Sequence, residues 1–280
     1  MDWSDVILLI LVVTILVLYI RLMRKNKRLR QMADESNRLR LEATEAERRN
    51  RQLKQEMTSN IAHELKTPVS SIRGYLEILL SDKPVDDERR RYFLDRCFRQ
   101  TLRLSELIQD VSIINKLEES ADLFPRSEVD AAEVAKEAIG DLADKAAAVG
   151  ITVGNNLPAM PLNGNHELLY CIFRNLVENS IAYAGSDINI VLETYKDSPD
   201  YYYIHYYDTG KGVADEYLSR LFDRFVRIDE GRSRQNGGTG LGLSIVKHSV
   251  LFHGGEIYAK NRPEGGLEFF FSLKKTPIRN

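Results

Sequence analysis

The stretch "IAHELKTPVSSI", Ile61 to Ile72, decides how the chain is read. Ile61 and Leu65 are four residues apart, Leu53 and Met57 precede them at the same spacing, and Val69, Ile72, Leu76 and Leu79 continue the stripe. Apolar residues at this spacing make a helix with one buried face. His63 stands two positions from both Ile61 and Leu65, about 200° around the helix axis. Spacing alone therefore turns the imidazole away from the stripe and exposes it. Pro68 brings no backbone donor and frees a carbonyl about one turn earlier, near His63 and Glu64, which predicts a bend or loosened turn there.

Upstream, residues 24–67 contain neither Gly nor Pro and are rich in Arg, Glu, Gln and Leu, the composition of a long helix. A seam runs through Leu22, Leu29, Met32, Leu39, Ala43, Ala46, Leu53 and Met57, interrupted by Lys25, Ser36 and Asn50. It predicts a modest parallel coiled coil, and the four-residue spacing after Leu53 is a stutter in its heptads.

Farther upstream, Val6 to Ile20 ("VILLILVVTILVLYI") carries no charge. Fifteen helical residues span only about 22 Å, but counting from Trp3 to Met23 restores a bilayer-spanning length of about 30 Å. "RLMRKNKRLR" comes next, with six basic residues and no acid, which by the positive-inside rule leaves the rest of the chain in the cytoplasm. No basic n-region or small-residue cleavage site marks a signal peptide. The expectation is a single-pass anchor in the inner (cytoplasmic) membrane, contacting the lipid bilayer.

Downstream, "SDKPVDDE" breaks the helix and supplies acids for the next N-terminus. A second helix is predicted from Asp87 to Leu117, with Phe93, Cys97, Leu104, Ile108 and Val111 among its apolar residues. Two helices joined by a turn bury little alone, so a homodimer forming a four-helix bundle is expected.

The 280 residues suit roughly two domains of ~150. With 39 basic and 41 acidic residues, no overall basic excess points to nucleic acid. Cys97 and Cys171 have no metal-type spacing and form no disulfide framework, which fits a reducing compartment and packing roles.

"ADLFPRSEVD", Ala121 to Asp130, marks a boundary, with a short strand expected near Leu123. Helices are predicted at Ala131–Ala148, Asn165–Tyr183 and Gly240–Phe252. Strands are predicted at Ile151–Val153, Ile188–Thr194, Tyr201–Tyr207, Glu256–Ala259 and Leu267–Leu273. Helices over one face of a mixed sheet are the economical arrangement.

Four polar clusters interrupt this half. In "NLVENSIAYA", Asn175 and Asn179 lie one turn apart, and their carbonyls suit magnesium. "DTGKGV" puts Asp208 directly after a strand, with Gly210 and Gly212 allowing a flat base near the backbone. "LFDRFVRIDEGRSRQN" offers phenylalanine anchors and arginines that can meet phosphates. "GGTGLGLSIVKH" leads glycines into an apolar helix, a phosphate cradle without Walker A or dinucleotide spacing. His166, His205, His248 and His253 read as structural.

Taken together, the clusters resemble a membrane sensor histidine kinase of the two-component type. "HELKTP" looks like its phosphoacceptor box, and the four clusters look like its N, G1, F and G2 boxes in order. The resemblance spans about Gln55 to Lys274. It implies a helical dimerisation and phosphoacceptor domain, then a Bergerat-type α/β sandwich shared with gyrase-type and Hsp90-type ATPases. The divisions expected are an anchor at 1–23, a coiled-coil signalling helix at 24–54, dimerisation and phosphotransfer at 55–120, an ATP-binding domain at 121–276 and a tail at 277–280.

By position, the resemblance implies ATP and Mg2+ as cofactors, His63 as the phosphorylated residue, Glu64 as its proton partner and Thr67 as the phosphatase position. It implies Asn179 on magnesium with Asn175 nearby, and Asp208 reading adenine beside Gly210 and Gly212. Gly238, Gly240 and Gly242 would line the phosphates, and Tyr183, Phe225, Thr239 and Leu241 join the nucleotide site. The family often has a lysine where this chain has Ala182, which leaves phosphate charge to Arg232 or Arg234. The implied partner is a response regulator that receives the phosphoryl group on an aspartate. Three alternatives remain open: an ATP-hydrolysing clamp, disfavoured because such ATPases use a glutamate at the position of Asn175; a scaffold with a degenerate kinase half; and a phosphatase-biased enzyme.

Overall fold

A computed structural model describes residues 3–81, 85–119, 121–227 and 238–275; in the first helix, the side chains of residues 3–13 and of a scattered set up to residue 53 are also outside the description. The chain divides into two compact units, Met1–Ile61 and Ala62–Asn280.

The described residues of the first unit, 3–61, are helical, part of α1 (Trp3–Leu80). Among the described residues, no helix is long and apolar enough to cross a membrane. Of the expected seam, Leu22, Met32 and Ala43 are exposed and Met57 is buried, while the side chains of Leu29, Leu39, Ala46 and Leu53 lie outside the described residues.

In the second unit α1 continues unbroken across Pro68, which is buried. The predicted loosening leaves no break in the helix, because only the donor to the carbonyl four residues back is missing. Helix α2 (Asp87–Glu119) opens with Asp86 accepting from the Arg89 amide at 2.8 Å, a side-chain cap on the amides left free at a helix start. It runs antiparallel to α1. Tyr75 stacks on Phe93 with ring centroids 5.6 Å apart, and Cys97 Sγ donates to the Ile72 carbonyl at 3.8 Å. Farther from the turn, Arg103 lies 3.6 Å from Glu64.

The strand expected near Leu123 is instead a single 3-10 turn, Ala121–Leu123. Phe124 explains the apolar signal: it is buried edge-on against Phe252, with centroids 6.0 Å apart. The next element is strand β1 (Ser127–Asp130), paired antiparallel with β3 (Pro161–Gly164), which the sequence pattern did not predict. The helix expected over Ala131–Ala148 is divided into α3 (Ala131–Asp141) and α4 (Ala143–Ala147).

The main sheet has the order β2 (Thr152–Asn155), β4 (Asn189–Lys196), β5 (Tyr201–Asp208), β7 (Leu267–Lys274), β6 (Ile257–Asn261). The β2–β4 pair is parallel and the others antiparallel. Helices α5 (His166–Tyr183) and α7 (Gly242–Phe252), with α3, cover one face; α6 (Asp215–Leu218) is a single short turn. Asn165 caps α5 by accepting from the Leu168 amide at 3.0 Å, and Asp130 caps α3 through the Ala132 amide at 2.9 Å.

The core joins Ile172, Phe173 and Leu176 of α5 and Val246 and Val250 of α7 to Ile190, Ile204, Tyr206, Phe269 and Phe271 of the sheet. Alternate residues of a strand share a face of the sheet. Ile204 and Tyr206 point into the core, so Asp208, next in the same series, points toward the helix layer and is only 2% exposed.

Candidate active site

His63 is exposed on α1, as its offset from the apolar stripe predicts. Thr67, one turn on, is exposed and donates to the His63 carbonyl at 3.4 Å. Glu64 turns the other way and is half-buried. Its Oε2 accepts from Arg227 Nη2 at 2.8 Å and lies 3.6 Å from Arg103 Nη2. The same Arg227 nitrogen donates to the carbonyl of Gly238. One guanidinium therefore joins the acid beside His63 to the start of the described glycine run.

The asparagines sit on one face of α5. Asn175 Nδ2 donates to the Cys171 carbonyl at 2.8 Å, which leaves its Oδ1 facing the glycine run. A Cβ placed on Gly242 would come within 2.7 Å of that oxygen. Asn179 is half-buried, and among the described residues its side chain makes no hydrogen bond, so its carbonyl is uncommitted. Tyr183 closes α5. A Cβ on Gly238 would collide with its hydroxyl, and burial raises its phenol pKa.

Asp208 Oδ2 accepts from Ser180 Oγ at 2.8 Å. Its Oδ1 accepts from the amides of Gly210 at 2.9 Å and Leu267 at 3.2 Å. Gly210 has no room for a side chain, since a Cβ there would run into the Ala184 backbone. Gly212 adopts φ 66° and is tucked against Asn261.

Phe225 is in the left-handed region at φ 61°, unusual for a bulky residue. Its amide donates to the Gly240 carbonyl at 2.8 Å, and Gly240 itself has φ 74°. Leu241 is fully buried at the N-cap of α7, and among the described residues its side chain makes no cap hydrogen bond, unlike Asp130 on α3 and Asn165 on α5. Its first-turn amides fit an anion, and the glycines admit it closely. Asn179, with a free amide carbonyl, fits a hard cation. Arg232 and Arg234 lie outside the described residues.

Thr239 is engaged elsewhere. Its hydroxyl donates to Asp110 Oδ2 on α2 at 2.8 Å and accepts from the Leu241 amide at 3.2 Å. Burial pushes the Asp110 carboxyl up to about 6, against the Thr239 hydrogen bond, which pulls it down. Arg224 pairs with Glu118 of α2 at 2.5 Å. Sequence reasoning did not single out Arg227, Asp110 or Ser180. Asp110 carried the one available signal, an acid inside the apolar pattern of α2.

Two family profiles match the chain. "His Kinase A (phospho-acceptor) domain" covers residues 53–120, and "Histidine kinase-, DNA gyrase B-, and HSP90-like ATPase" covers 164–277. Sensor-like histidine kinase SenX3 of Mycolicibacterium smegmatis is 32% identical over 247 residues, 87% of this chain and 61% of that protein. Sensor histidine kinase YcbM of Bacillus subtilis is 30% identical over 221 residues, 78% of this chain and 71% of that protein. The crystal structure of histidine kinase ThkA in complex with response regulator protein TrrA shares the fold, with TM-score 0.61 and 22% identity over 80% of this chain and 63% of that one. The chain spans between 36% and 61% of the length of the first four curated relatives it matches. With the phosphoacceptor and ATPase profiles in tandem and the YcbM match across most of both proteins, the chain belongs to the sensor histidine kinases.

Proposed function

We propose that this chain is a membrane-anchored, homodimeric protein-histidine kinase. It moves the γ-phosphoryl group of ATP to His63, passes it to an aspartate of a response regulator, and also dephosphorylates that regulator. The observation that carries this is the exposed His63 beside Glu64, whose carboxylate is tied through Arg227 to the glycine run.

A neutral imidazole nitrogen attacks the γ-phosphorus. The bond from the β–γ bridging oxygen to that phosphorus breaks, ADP leaves, and Glu64 takes the ring proton from the other nitrogen. Phosphoryl transfer is mostly positioning and charge stabilisation. Asp208 accepts from the adenine amino group, and the amides at the start of α7 meet the phosphates. Asn179, with Asn175 nearby, would hold magnesium, which would supply charge neutralisation for the phosphates. Thr67, one turn from His63, orients water for the phosphatase reaction.

The membrane anchor rests on the uncharged run Val6 to Ile20 and the basic stretch after it. It places the enzyme in the cytoplasmic membrane with its catalytic parts inside. The domain limits proposed are 1–23, 24–54, 55–120 and 121–276. The homodimer is supported by apolar side chains that α1 and α2 leave exposed, among them Val69, Leu76, Leu94, Phe98 and Leu102. A response-regulator partner is supported by the ThkA relative, which was crystallised with TrrA.

The test is incubation of the purified chain with γ-labelled ATP. Acid-labile label that disappears in His63→Gln is the expected result. A His63→Gln protein that labels at the wild-type level overturns the proposal.

A further inference from the structure

We infer that Ser180 is a positioning residue for nucleotide-base selection: it holds the Asp208 carboxylate so that one oxygen lone pair faces the base. The inference rests on the proposal that Asp208 accepts from the adenine amino group.

A carboxylate offers about four acceptor positions, two per oxygen. Among the described residues, the donors to this one are Ser180, Gly210 and Leu267. The Gly210 and Leu267 amides both use Oδ1 and fill it. Oδ2 takes only the Ser180 hydroxyl at 2.8 Å, so a single acceptor position remains.

Ser180 is itself 1% exposed and held from behind. Its Oγ lies 2.9 Å from the Tyr206 hydroxyl, which is also 2.9 Å from the Leu176 carbonyl. The serine has one proton, and a charged acceptor outcompetes a neutral hydroxyl for it. Ser180 therefore donates to Asp208, while Tyr206 donates to Leu176 or to Ser180. A ladder from the core, Tyr206 to Ser180 to Asp208, sets the carboxylate plane. The two amides on Oδ1 fix one oxygen, and Ser180 fixes rotation about it.

The remaining acceptor favours a base that donates at the 6-position, as adenine does. Hypoxanthine carries an oxygen there and meets lone pair with lone pair. Removing the Ser180 hydroxyl leaves Oδ2 unheld, so the preference for a 6-amino group weakens while contacts to sugar and phosphates persist.

The experiment measures ATP and ITP affinity by calorimetry on the full chain in detergent, with KM for ATP and kcat of autophosphorylation alongside. Ser180→Ala is expected to weaken ATP binding about fivefold, the worth of one ordinary hydrogen bond. ITP affinity should stay unchanged, and KM should rise with kcat held. Ser180→Thr, which keeps the hydroxyl, is expected to restore the ATP-to-ITP ratio. Asp208→Asn tests the underlying reading. The amides of Gly210 and Leu267 draw the amide oxygen to the Oδ1 position, placing an NH2 at Oδ2 and reversing the preference toward ITP.

If Asp208→Asn shifts the preference but Ser180→Ala keeps the wild-type ratio, the Ser180 inference is overturned and the Asp208 role stands. Equal losses of ATP and ITP binding in Ser180→Ala also overturn it, since that is a packing effect. If Asp208→Asn leaves the preference untouched, the Asp208 role fails and the inference with it. Should Ser180→Ala not fold, Ser180→Cys, similar in size and a weak donor, decides by the same ratio.

Discussion

Arg227 and Glu64, 163 residues apart in sequence, meet at 2.8 Å, and both side chains are mostly shielded from solvent. In this arrangement the acid beside His63 is held by two arginines, so the proton-accepting role proposed for it requires Arg227 to let go. A half-buried, charge-assisted contact of this kind couples its partners energetically. A double-mutant cycle with Glu64→Gln and Arg227→Ala, read by denaturant unfolding, is expected to give a coupling of about 1–2 kcal/mol. Additive single effects would show that the pair carries no such energy.

Asp110 links α2 to the glycine run through Thr239, and burial raises its carboxyl to about 6. A folded-state pKa above the unfolded value gives stability that is full below about 4 and is lost as pH rises through about 6. Wild type should therefore lose up to about 3 kcal/mol between pH 4 and 7 from this one group. Asp110→Asn keeps an acceptor for Thr239 and removes the ionisation. Its melting temperature is expected to exceed that of wild type at pH 7.5, with the gap closing toward pH 4.5. Parallel pH profiles for the two proteins would rule this out.

Gly240 combines φ 74° with a neighbour so near that a Cβ would lie 2.9 Å from the Phe225 Cα. Gly240→Ala is expected to cost about 1–2 kcal/mol for the left-handed backbone alone, with added strain against Phe225. ATP affinity should fall with it. An alanine variant with unchanged melting temperature and ATP affinity would show that the loop re-forms elsewhere.

Ser249 Oγ is buried with no hydrogen-bond partner among the described residues. A polar group kept from water without a partner is a net cost. Ser249→Ala is expected to stabilise the fold by about 1 kcal/mol, seen as a raised midpoint in urea. A lower midpoint would mean the hydroxyl has a partner in solution.

His253 stands just after α7 and is buried. Its Nε2 lies 3.1 Å from the Asn165 amide, and its Nδ1 lies 2.7 Å from the Ser249 carbonyl. Burial pushes its pKa down to about 4. A depressed pKa gives stability that is present above about 6.5 and is lost as pH falls through about 4. Nitrogen NMR at pH 5.5 is expected to show a neutral ring protonated at Nδ1. A doubly protonated ring at that pH would contradict this.

Features with a local cause were legible in the sequence. The exposure of His63 comes from its offset within a helical stripe, and the strand expected at Tyr201–Tyr207 forms and runs one residue farther, to Asp208. Strand β3 was missed because "PLNG" contains a proline and a glycine, both poor strand formers, and forms only through its partner β1. The strand expected at Leu123 failed because Phe124 is buried as a plug rather than in a ladder. Arg227 was legible only as a member of a polar cluster, and Thr239 only through the family resemblance. Their partners Glu64 and Asp110 lie more than a hundred positions away, and nothing in local pattern encodes such pairings.

The Phe225 amide and the Gly240 carbonyl, in contact at 2.8 Å, close a ring of chain around residues 226–239. Closing a loop costs entropy that grows only with the logarithm of its length. Doubling the enclosed segment would add about 0.6 kcal/mol. The clasp thus leaves the start of α7 only weakly sensitive to the length of chain between Phe225 and Gly240.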